Sequence, residues 1–420
     1  FGVPFAILPN KKSNRQTGWI MPSFGVSQKN GTYFQKLGYY WAPNDYMDYK
    51  VLMDFYDRDR IEIRGYTRYV KRHKFNGSIS TTFKRELNQE LTNDISDLFT
   101  NKSLQNFDIK WIHRHQIDPS QNLNINWTYV TSSDFYNEVG YDLNTRTQQK
   151  LESSASYNKV WANYNNRLSI SIAESYDLDK DNDTPEISES SEDILIQYYK
   201  SRILPNMKFS HSNSKIFGNG DNWYNSIYYS FSSKFNGKQN IGHLAYNPSI
   251  ENFTWNQKDT IDYNSSFSHS LNLSAPNQLF GWLTLNPRIN LKEGWIFKYN
   301  NNGNLKEGFK RRLTGNLSLS ASTTLYGLFP INNFTIKSIR HIISPTISLN
   351  YTPDFSKPIL GLDLYYFDNN GNDYFSNSMI GSTPNYEVKR ISFNIRNNFQ
   401  MKLNDSTQTK IDFLTWNITS

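Results

Sequence analysis

Residues 122–130 have the sequence Asn-Leu-Asn-Ile-Asn-Trp-Thr-Tyr-Val, in which every second side chain is apolar or aromatic. Leu123, Ile125, Trp127 and Tyr129 alternate with asparagine and threonine. Successive side chains of a β-strand point to opposite faces of the sheet. The stretch therefore predicts a strand with one face against an apolar medium and the other against a polar one.

The same period of two recurs along the chain. Apolar residues alternate with Asn, Ser, Thr or charged residues at 168–172, 283–291, 343–351 and 391–396. No long segment has the spacing i, i+3, i+4, i+7 that indicates an amphipathic helix. The pattern predicts an all-β protein, and a repeat of roughly 22–25 residues per strand with its connections predicts about 16–20 antiparallel strands.

The composition excludes several classes of protein. The chain has 420 residues, a formal net charge of +7, 15% aromatic residues and no cysteine. No run approaches the ~20 apolar residues of a membrane helix, and a fold that depends on disulfides or thiolates is impossible. The many aromatic residues argue against disorder, and the mild positive charge predicts no nucleic-acid binding.

Two architectures have strands of this kind. In a soluble sandwich or solenoid the apolar face packs inward, whereas in an outer-membrane barrel it faces lipid and the polar face lines the lumen. The strands of about ten residues or more, the aromatic residues near their ends, and the alternation of short with long connections favour a large transmembrane β-barrel, incomplete in this fragment. The predicted long connections are 86–105, 132–148, 177–193, 298–310 and 353–387.

An ordered set of motifs resembles one known family, the lipopolysaccharide-assembly outer-membrane proteins called LptD. The motifs extend from the N-terminus into the C-terminal half of the chain. They are FGVPFAILP at 1–9, RQTGWIMPS at 15–23, YYWAPN at 39–44, RGYTRY at 64–69, NINWTYVTSSDFY at 124–136, RHIISP at 340–345 and YTPDF at 351–355.

The resemblance implies a domain organisation and a function. Residues 1–10 would be the last strand of a periplasmic jellyroll domain, and residues 11–420 an outer-membrane β-barrel whose closing strands are missing. The family inserts lipopolysaccharide into the outer leaflet through a lateral seam near the first barrel strand. Implied partners are lipopolysaccharide, a plug lipoprotein inside the barrel (LptE-like), a periplasmic bridge protein (LptA-like) and the outer-membrane lipids. The implied location is the outer membrane of a Gram-negative bacterium.

The resemblance also implies which residues form the lateral gate, that is, the part of the wall that opens at the lateral seam. Pro22, in a first strand predicted at about 18–27, lies at the position of a family gate proline, and Gly38 stands where the second one is expected. Proline cannot donate to a sheet ladder, and glycine weakens a strand through entropy and missing packing. Pro43 in the turn motif completes the set of candidate gate residues. A proline tolerated near a strand edge or bulge is the alternative for Pro22.

An acidic run in a long connection has the spacing of a weak cation site. Asp177, Asp179, Asp181 and Asp183 alternate with other residues, and alternate carboxylates can converge on Ca²⁺. The run lacks the glycine and the final glutamate of an EF-hand loop. We therefore predict a solvated acidic loop and no metal site.

His113 and His115 lie two residues apart on one strand face. Two imidazoles without a third ligand nearby are a weak zinc signal. The prediction for this pair is polar residues that line the lumen.

Two basic clusters are candidate phosphate contacts. One consists of Lys71, Arg72 and Lys74 beside His73, in a short connection. The other consists of Lys310, Arg311 and Arg312. Arginine can pair with phosphate in a bidentate manner. The alternative is that both clusters are rim charges that anchor the barrel at the lipid headgroups.

No nucleophile elbow, P-loop, HExxH motif or pair of catalytic carboxylates occurs in the sequence. We therefore predict a protein that is not an enzyme and needs no cofactor. The alternative function is a general or substrate-specific porin, which would have the same alternation but a firmly closed wall. A soluble or surface-exposed β-structural adhesin is a further alternative.

Overall fold

A computed structural model describes most of the chain, and every structural statement below concerns the residues that it describes. The segment 1–10, predicted as a jellyroll strand, lies outside them. The described residues are 15–28, 31–87, 94–100, 103–136, 150–161, 165–178, 195–220, 222–245, 260–301, 304–331, 333, 335–359, 361, 364–404 and 409–420.

Extended segments of alternating polarity form nearly all of the regular structure, as the sequence predicts. Two short 3-10 helices, Ile95–Phe99 and Trp223–Ser226, lie in connections. The strands are β1 Gly18–Ile20, β2 Ser23–Ser27, β3 Gly31–Asn44, β4 Met47–Tyr56, β5 Arg60–Lys71, β6 Phe75–Leu87, β7 Ser103–Asp118, β8 Gln121–Val130, β9 Lys150–Val160, β10 Asn166–Asp177, β11 Leu195–Lys215, β12 Tyr228–Ala245, β13 Thr260–Ser274, β14 Asn277–Leu279, β15 Leu283–Asn301, β16 Asn304–Ser322, β17 Leu325–Pro330, β18 Ile336–Thr352, β19 Val388–Leu403 and β20 Lys410–Thr419.

These strands form one sheet of 20 strands. From β3 to β9, each strand pairs in antiparallel register with the next strand along the chain. The same holds for β15 with β16, β18 with β19, and β19 with β20. The predicted fold class, an all-β antiparallel sheet, is confirmed, and the strand number lies within the predicted range.

In three places, two consecutive strands pair with the same neighbouring strand, as two pieces of one interrupted strand. Both β1 and β2 pair with β3, both β13 and β14 pair with β15, and both β16 and β17 pair with β18. The first of these interruptions contains Pro22.

Four of the five long connections predicted from the sequence separate consecutive strands, and one does not. The long connection predicted at 353–387 separates β18 from β19 as expected. The prediction for 298–310 is wrong, because Lys298 pairs with Glu307 and Asn301 with Asn304 in a continuous hairpin of β15 and β16. The sequence Asn-Gly at 302–303 is itself a strong signal for a two-residue hairpin turn, and it outweighs the polar residues around it that suggest a longer loop.

The apolar face of the sheet is open over the strands β15 to β19. Ile289 pairs with Leu317, and Leu349 pairs with Ile391. Their exposed fractions are 40%, 48%, 43% and 61%. In a sandwich such side chains would interdigitate with a second sheet and be buried. The exposure of paired aliphatic residues therefore favours a wall that contacts lipid over a dry interface between sheets.

The contacts divide the chain into two compact units, one of Phe1–Lys159, Ser169–Pro205 and Lys238–Tyr263, and the other of Val160–Leu168, Asn206–Gly237 and Asn264–Ser420. The buried apolar clusters of each unit involve connections. In the first unit they are Val130, Phe135, Leu151 and Leu178, and Ile61, Leu87 and Leu98; in the second they are Ile296, Phe355, Tyr366 and Phe375.

Within the described part of the chain, no helix has the length and apolar character needed to cross a membrane.

Candidate functional site

The first strand is broken at the proline that the sequence analysis singled out. β1 ends at Ile20, which pairs with Gly38, and β2 begins at Ser23, which pairs with Gln35. Pro22 lies in the gap between these two pairs. Because proline has no backbone N–H, it cannot supply a ladder hydrogen bond to the neighbouring strand. The predicted strand at about 18–27 is therefore present as two pieces that share one partner.

A bulge in β3 lies opposite this gap. The register of β3 against β4 jumps from the pair Phe34 and Phe55 to the pair Leu37 and Met53. Within the bulge, Lys36 has a positive φ of 62°, a conformation that is uncommon for a residue other than glycine. Its backbone N–H donates to Oδ1 of Asp54 at 2.7 Å. A side-chain carboxylate thus binds a backbone group that lies in a local break of the ladder.

Asp54 is held in place by a buried ion pair. Its exposed fraction is 0%, and its Oδ2 accepts a hydrogen bond from Nη2 of Arg64. Close by on β5, Nε of Arg60 donates to Oε1 of Glu62 at 2.8 Å, and Glu62 also has an exposed fraction of 0%. Oε2 of Glu62 and Nε of Arg64 are buried without a hydrogen-bond partner. Buried charges need such partners, so removal of one of them is costly.

A second carboxylate attaches the residues before β1 to the sheet. Oδ2 of Asp48 accepts from Nη1 of Arg15 at 2.7 Å and from Nη2 of Arg68 at 2.8 Å. The exposed fraction of Asp48 is 2%. The first strand is therefore attached through an ion-pair network before β1 and interrupted at Pro22.

Gly38, the second candidate gate residue, lies in a closely packed part of the ladder. It pairs with Ile20 on one side and Leu52 on the other. A Cβ atom at this position would lie 2.2 Å from the carbonyl oxygen of Val51 and 2.6 Å from Cδ2 of Leu52. Glycine is required here because the backbone of β4 approaches closely.

Pro43, the third candidate, lies elsewhere on β3. The register against β4 shifts a second time between Trp41 and Asn44, so Pro43 lies in an irregular stretch beside the short turn to β4. The N–H of the preceding Ala42 donates to Oγ1 of Thr17 at 3.0 Å. The structure brings Gly38 close to the break at Pro22, but it places Pro43 at the turn end of the strand.

The strand pieces beside the break expose large apolar side chains. Trp19 and Met21 have exposed fractions of 74% and 81%, and Phe24 and Val26 have 76% and 79%. Trp19 pairs with Tyr39 and Phe24 with Phe34, so odd-numbered residues carry the apolar face before the break and even-numbered residues carry it after. The interruption therefore shifts the side-chain alternation by one residue while the apolar face stays continuous.

The two basic clusters have different surroundings. Lys71 and Lys74 flank a tight turn between β5 and β6, closed by a hydrogen bond of 3.0 Å from the N–H of Lys74 to the carbonyl of Lys71. In the second cluster, Arg311 forms an ion pair with Glu293 on the face that also carries Leu313. Lys310 lies over the ring of Tyr374 at 3.9 Å from its centroid.

Arg312, the third residue of this cluster, is buried under the connection 353–387. Its Nη1 donates to the carbonyl of Gly381 and to Oγ1 of Thr383, each at 3.0 Å. The same connection is organised by Asp373, which accepts from the N–H of Thr383 at 2.6 Å. Near its start, hydrogen bonds from Ser356 and the neighbouring Lys357 lower the pKa of the Asp354 carboxyl. This connection is a folded structure that packs on β15 and β16.

The prediction for His113 and His115 is wrong in its choice of face. His113 lies among the aromatic residues of the apolar face, where its Nδ1 is 2.8 Å from the hydroxyl of Tyr69 and Trp111 donates to the same hydroxyl at 2.9 Å. His115 packs edge-on against Phe75. The two histidines share the parity of Trp111, and the sequence analysis had counted them as polar instead of as aromatic rings suited to an interfacial girdle.

The acidic run lies largely outside the described residues. Asp177 is described and lies 3.8 Å from Nζ of Lys150, whereas Asp179, Asp181 and Asp183 are outside. The described ranges contain no group of three or more His, Asp or Glu residues that could hold a metal ion.

The buried carboxylates of β4 and β5 are not among the site residues predicted from the sequence. A usable signal was present, because the tight turn at 57–59 fixes the register in which Asp48 faces Arg68. The position of Asp54 opposite the bulge was not predictable, since that bulge depends on the break in a different strand.

Comparison with known proteins gives one family. The chain matches the family model described as LptD protein over residues 1–420. The LPS-assembly protein LptD of Shewanella frigidimarina is 22% identical over 250 residues, which is 59% of this chain and 28% of the relative. The LPS-assembly protein LptD of Shewanella oneidensis is 24% identical over 151 residues, which is 36% of this chain and 18% of the relative. The matched regions thus span less than a third of either relative.

Proposed function

The chain belongs to the LptD protein family, and from this membership we propose that it forms the wall of an outer-membrane translocon for lipopolysaccharide. The glycolipid enters the outer leaflet through a lateral seam beside β1 and β2. The protein acts as a transport protein, not as an enzyme. Its location is the outer membrane of a Gram-negative bacterium.

The polar and apolar faces of the sheet suit an amphipathic substrate, which has a polar saccharide and apolar acyl chains. Transfer of sugar hydroxyls or phosphates into hydrocarbon without partners costs several kcal/mol, roughly 2–7 for each neutral polar group. A polar lumen solvates the saccharide while a seam in the wall lets the acyl chains reach lipid directly. Movement through this protein is passive, and the glycolipid is pushed from the periplasmic side.

The interruption at Pro22 is the observation that carries the proposed position of the seam. Two residues of the first strand lie outside the ladder, and opposite them Lys36 donates its N–H to Asp54 instead of to a neighbouring strand. A backbone hydrogen bond contributes about 0.5–1.5 kcal/mol net, so a ladder with fewer of them separates at lower cost. The tight packing at Gly38 keeps the rest of β3 on β4 while the first strand moves.

The partners follow from the same proposal. A periplasmic bridge protein (LptA-like) delivers the glycolipid to a periplasmic jellyroll domain of the complete protein. A plug lipoprotein (LptE-like) occupies the lumen and contacts the polar face of the strands.

A crosslink tests the position of the seam. In the complete protein, a cysteine at Phe24 in β2 is joined by a disulfide to a cysteine in the closing strand. We expect surface lipopolysaccharide to fall to the level of a depleted strain and to recover when the disulfide is reduced. The control disulfide joins Tyr66 and Ser80, which are paired in β5 and β6 and lie within the wall.

Normal surface lipopolysaccharide with the seam crosslinked would contradict the proposal. A porin would also continue to pass small solutes when crosslinked, and solute uptake in the same strains separates the two functions.

A further inference from the structure

The turn between β5 and β6 and the adjoining ends of β7 and β8 line an open cavity of about 510 Å³. Its basic lining consists of Lys71, Arg72 and Lys74 from the turn and Arg114 from β7. No carboxylate occurs among the described residues that line it. The cavity therefore presents a concentration of positive charge at the short-turn end of these strands.

These cations differ from several basic residues of β5 and β6 that are paired with carboxylates. Arg64 is paired with Asp54, Arg68 with Asp48, and Lys84 with Glu86. Within the described ranges, the four basic residues of the cavity have no ion-pair partner. Their charge is available to a ligand, whereas that of the paired residues is used within the wall.

Amide side chains lie beside the free cations on the same face. Asn76 of β6 pairs in register with Arg114, which in turn pairs with Asn124 of β8. Asn122 also lines the cavity, and its Oδ1 accepts a hydrogen bond from Nδ2 of Asn158 at 3.1 Å. Asparagine amides both donate and accept hydrogen bonds, which suits sugar hydroxyls. Cations in combination with amides favour a phosphorylated saccharide over a simple anion.

The cations of the second basic cluster already contact other groups of the protein. Arg311 is paired with Glu293, and Arg312 is buried with its guanidinium bound to Gly381 and Thr383. Lys310 lies over the rings of Tyr299 and Tyr374. Of the two clusters that the sequence offers as phosphate contacts, the geometry therefore favours the first.

We propose that the cavity at the β5–β6 turn binds the phosphate groups of a phosphorylated saccharide headgroup. Lys71, Arg72 and Arg114 contact the phosphate oxygens, and the asparagines contact sugar hydroxyls. The glycolipid as the source of this headgroup rests on the proposed function, in which it arrives from the periplasmic side, where the short turns of outer-membrane barrels lie. Arginine provides paired N–H donors that match the geometry of a phosphate.

The test is equilibrium binding to the complete protein in detergent. The probe is a bisphosphorylated lipid A disaccharide, compared with the same disaccharide without phosphates and with phosphatidylglycerol. The variant carries Lys71→Gln, Arg72→Gln and Arg114→Gln. The control carries Lys150→Gln, Lys357→Gln and Lys389→Gln, which removes the same charge from three exposed cations that are each paired with a carboxylate.

We expect the variant to bind the bisphosphorylated disaccharide about tenfold or more weakly, as the loss of charge-assisted hydrogen bonds implies. Binding of the phosphate-free disaccharide stays unchanged, and the control binds like the parent protein. Equal weakening in variant and control, or no weakening in the variant, would overturn the proposal. A loss confined to phosphatidylglycerol would also overturn it, because the turn would then be a rim anchor for membrane phospholipid.

The proposed function is tested separately by the strains that carry the seam crosslink. Failure of this binding test together with an export block by the seam crosslink refutes the cavity alone. Normal export with the crosslink in place refutes the seam, and the binding result for the cavity stands by itself.

Discussion

The carboxylate of Asp54 accepts the backbone N–H of Lys36 at 2.7 Å, opposite the gap in which Pro22 interrupts the first strand. A fully buried side chain thus holds a bulge in β3 at the place where the outer neighbour cannot provide a regular ladder. The same carboxylate is paired with Arg64 across the β4–β5 hairpin. The bulge opposite the break in the first strand is therefore stabilised by side chains of β4 and β5.

Replacement of Asp54 is expected to destabilise the wall and loosen the bulge. Asp54→Ala removes the acceptor of the Lys36 N–H and leaves Arg64, whose side chain is 26% exposed, without its partner. We expect a loss of about 1.5–3 kcal/mol, the range for hydrogen bonds to charged groups. Guanidinium unfolding in lipid vesicles measures the loss, and amide hydrogen exchange should accelerate over residues 32–37. The control is Asp45→Asn in an exposed turn. Unchanged exchange in the Asp54 variant would refute the assigned role.

A side chain at Gly38 is expected to disrupt the first strands. Gly38→Ala places a Cβ 2.2 Å from the carbonyl oxygen of Val51, and this backbone atom cannot move without distortion of the ladder. We expect a loss of ~1–3 kcal/mol, typical of overpacking, and reduced assembly of folded protein. Gly18→Ala is the matched control, because a Cβ there meets nothing within 4 Å. Similar folded yields of the two variants would contradict the requirement for glycine.

Replacement of Pro22 is expected to tighten the seam. Pro22→Ala restores a backbone donor, so β1 and β2 can form a more continuous ladder with β3. Amide exchange over 18–27 should slow, and surface lipopolysaccharide should fall without a loss of folded protein. Pro330→Ala, at the end of the interrupted strand β17, is the control. If exchange slows but export is unaffected, the proline is a structural break with no part in the seam.

The connection 353–387 is expected to detach from the wall when Arg312 is replaced. Arg312→Met keeps the length of the side chain but removes its bonds to Gly381 and Thr383. Proteolytic cleavage within the connection should become several-fold faster, since a buried polar contact of this kind contributes about 1.5–3 kcal/mol. Arg311→Met, on the exposed side of the same strand, should cleave like the parent protein. Equal cleavage rates in both variants would show that the apolar cluster alone holds the connection.

The sequence predicts the fold well because its signal is local and repeated. Each strand presents its own alternation, so Leu123 to Tyr129 or Leu283 to Leu291 can be assigned without knowledge of the neighbours. The hairpin of β15 and β16 was missed because polar residues near its tip resemble a loop. His113 was assigned to the wrong face because histidine is both polar and aromatic, and only its register with Tyr69 and Trp111 decides between them.

The candidate site was predictable only in part. The break in the ladder at Pro22 follows from the missing backbone N–H of proline, and the resemblance to the family suggests its role in the gate. The bulge at Lys36 and the burial of Asp54 depend on how three strands align, which no single segment encodes. Whether the cations beside Lys71 have ion-pair partners, and whether Arg312 is buried, likewise depends on residues that are distant in sequence.

The medium that the apolar face contacts is the central claim, and site-directed spin labelling measures it directly. This chain has no cysteine. In the complete protein in vesicles, with any cysteine outside this chain replaced, single cysteines are labelled at Leu317, Leu349 and Ile391 and at the neighbouring Ser318, Asn350 and Arg390. We predict that labels at the first three sites collide with oxygen dissolved in the hydrocarbon and those at the other three with a water-soluble nickel complex. Labels at the apolar sites that are shielded from both reagents would place this face in a dry protein interior and contradict the account.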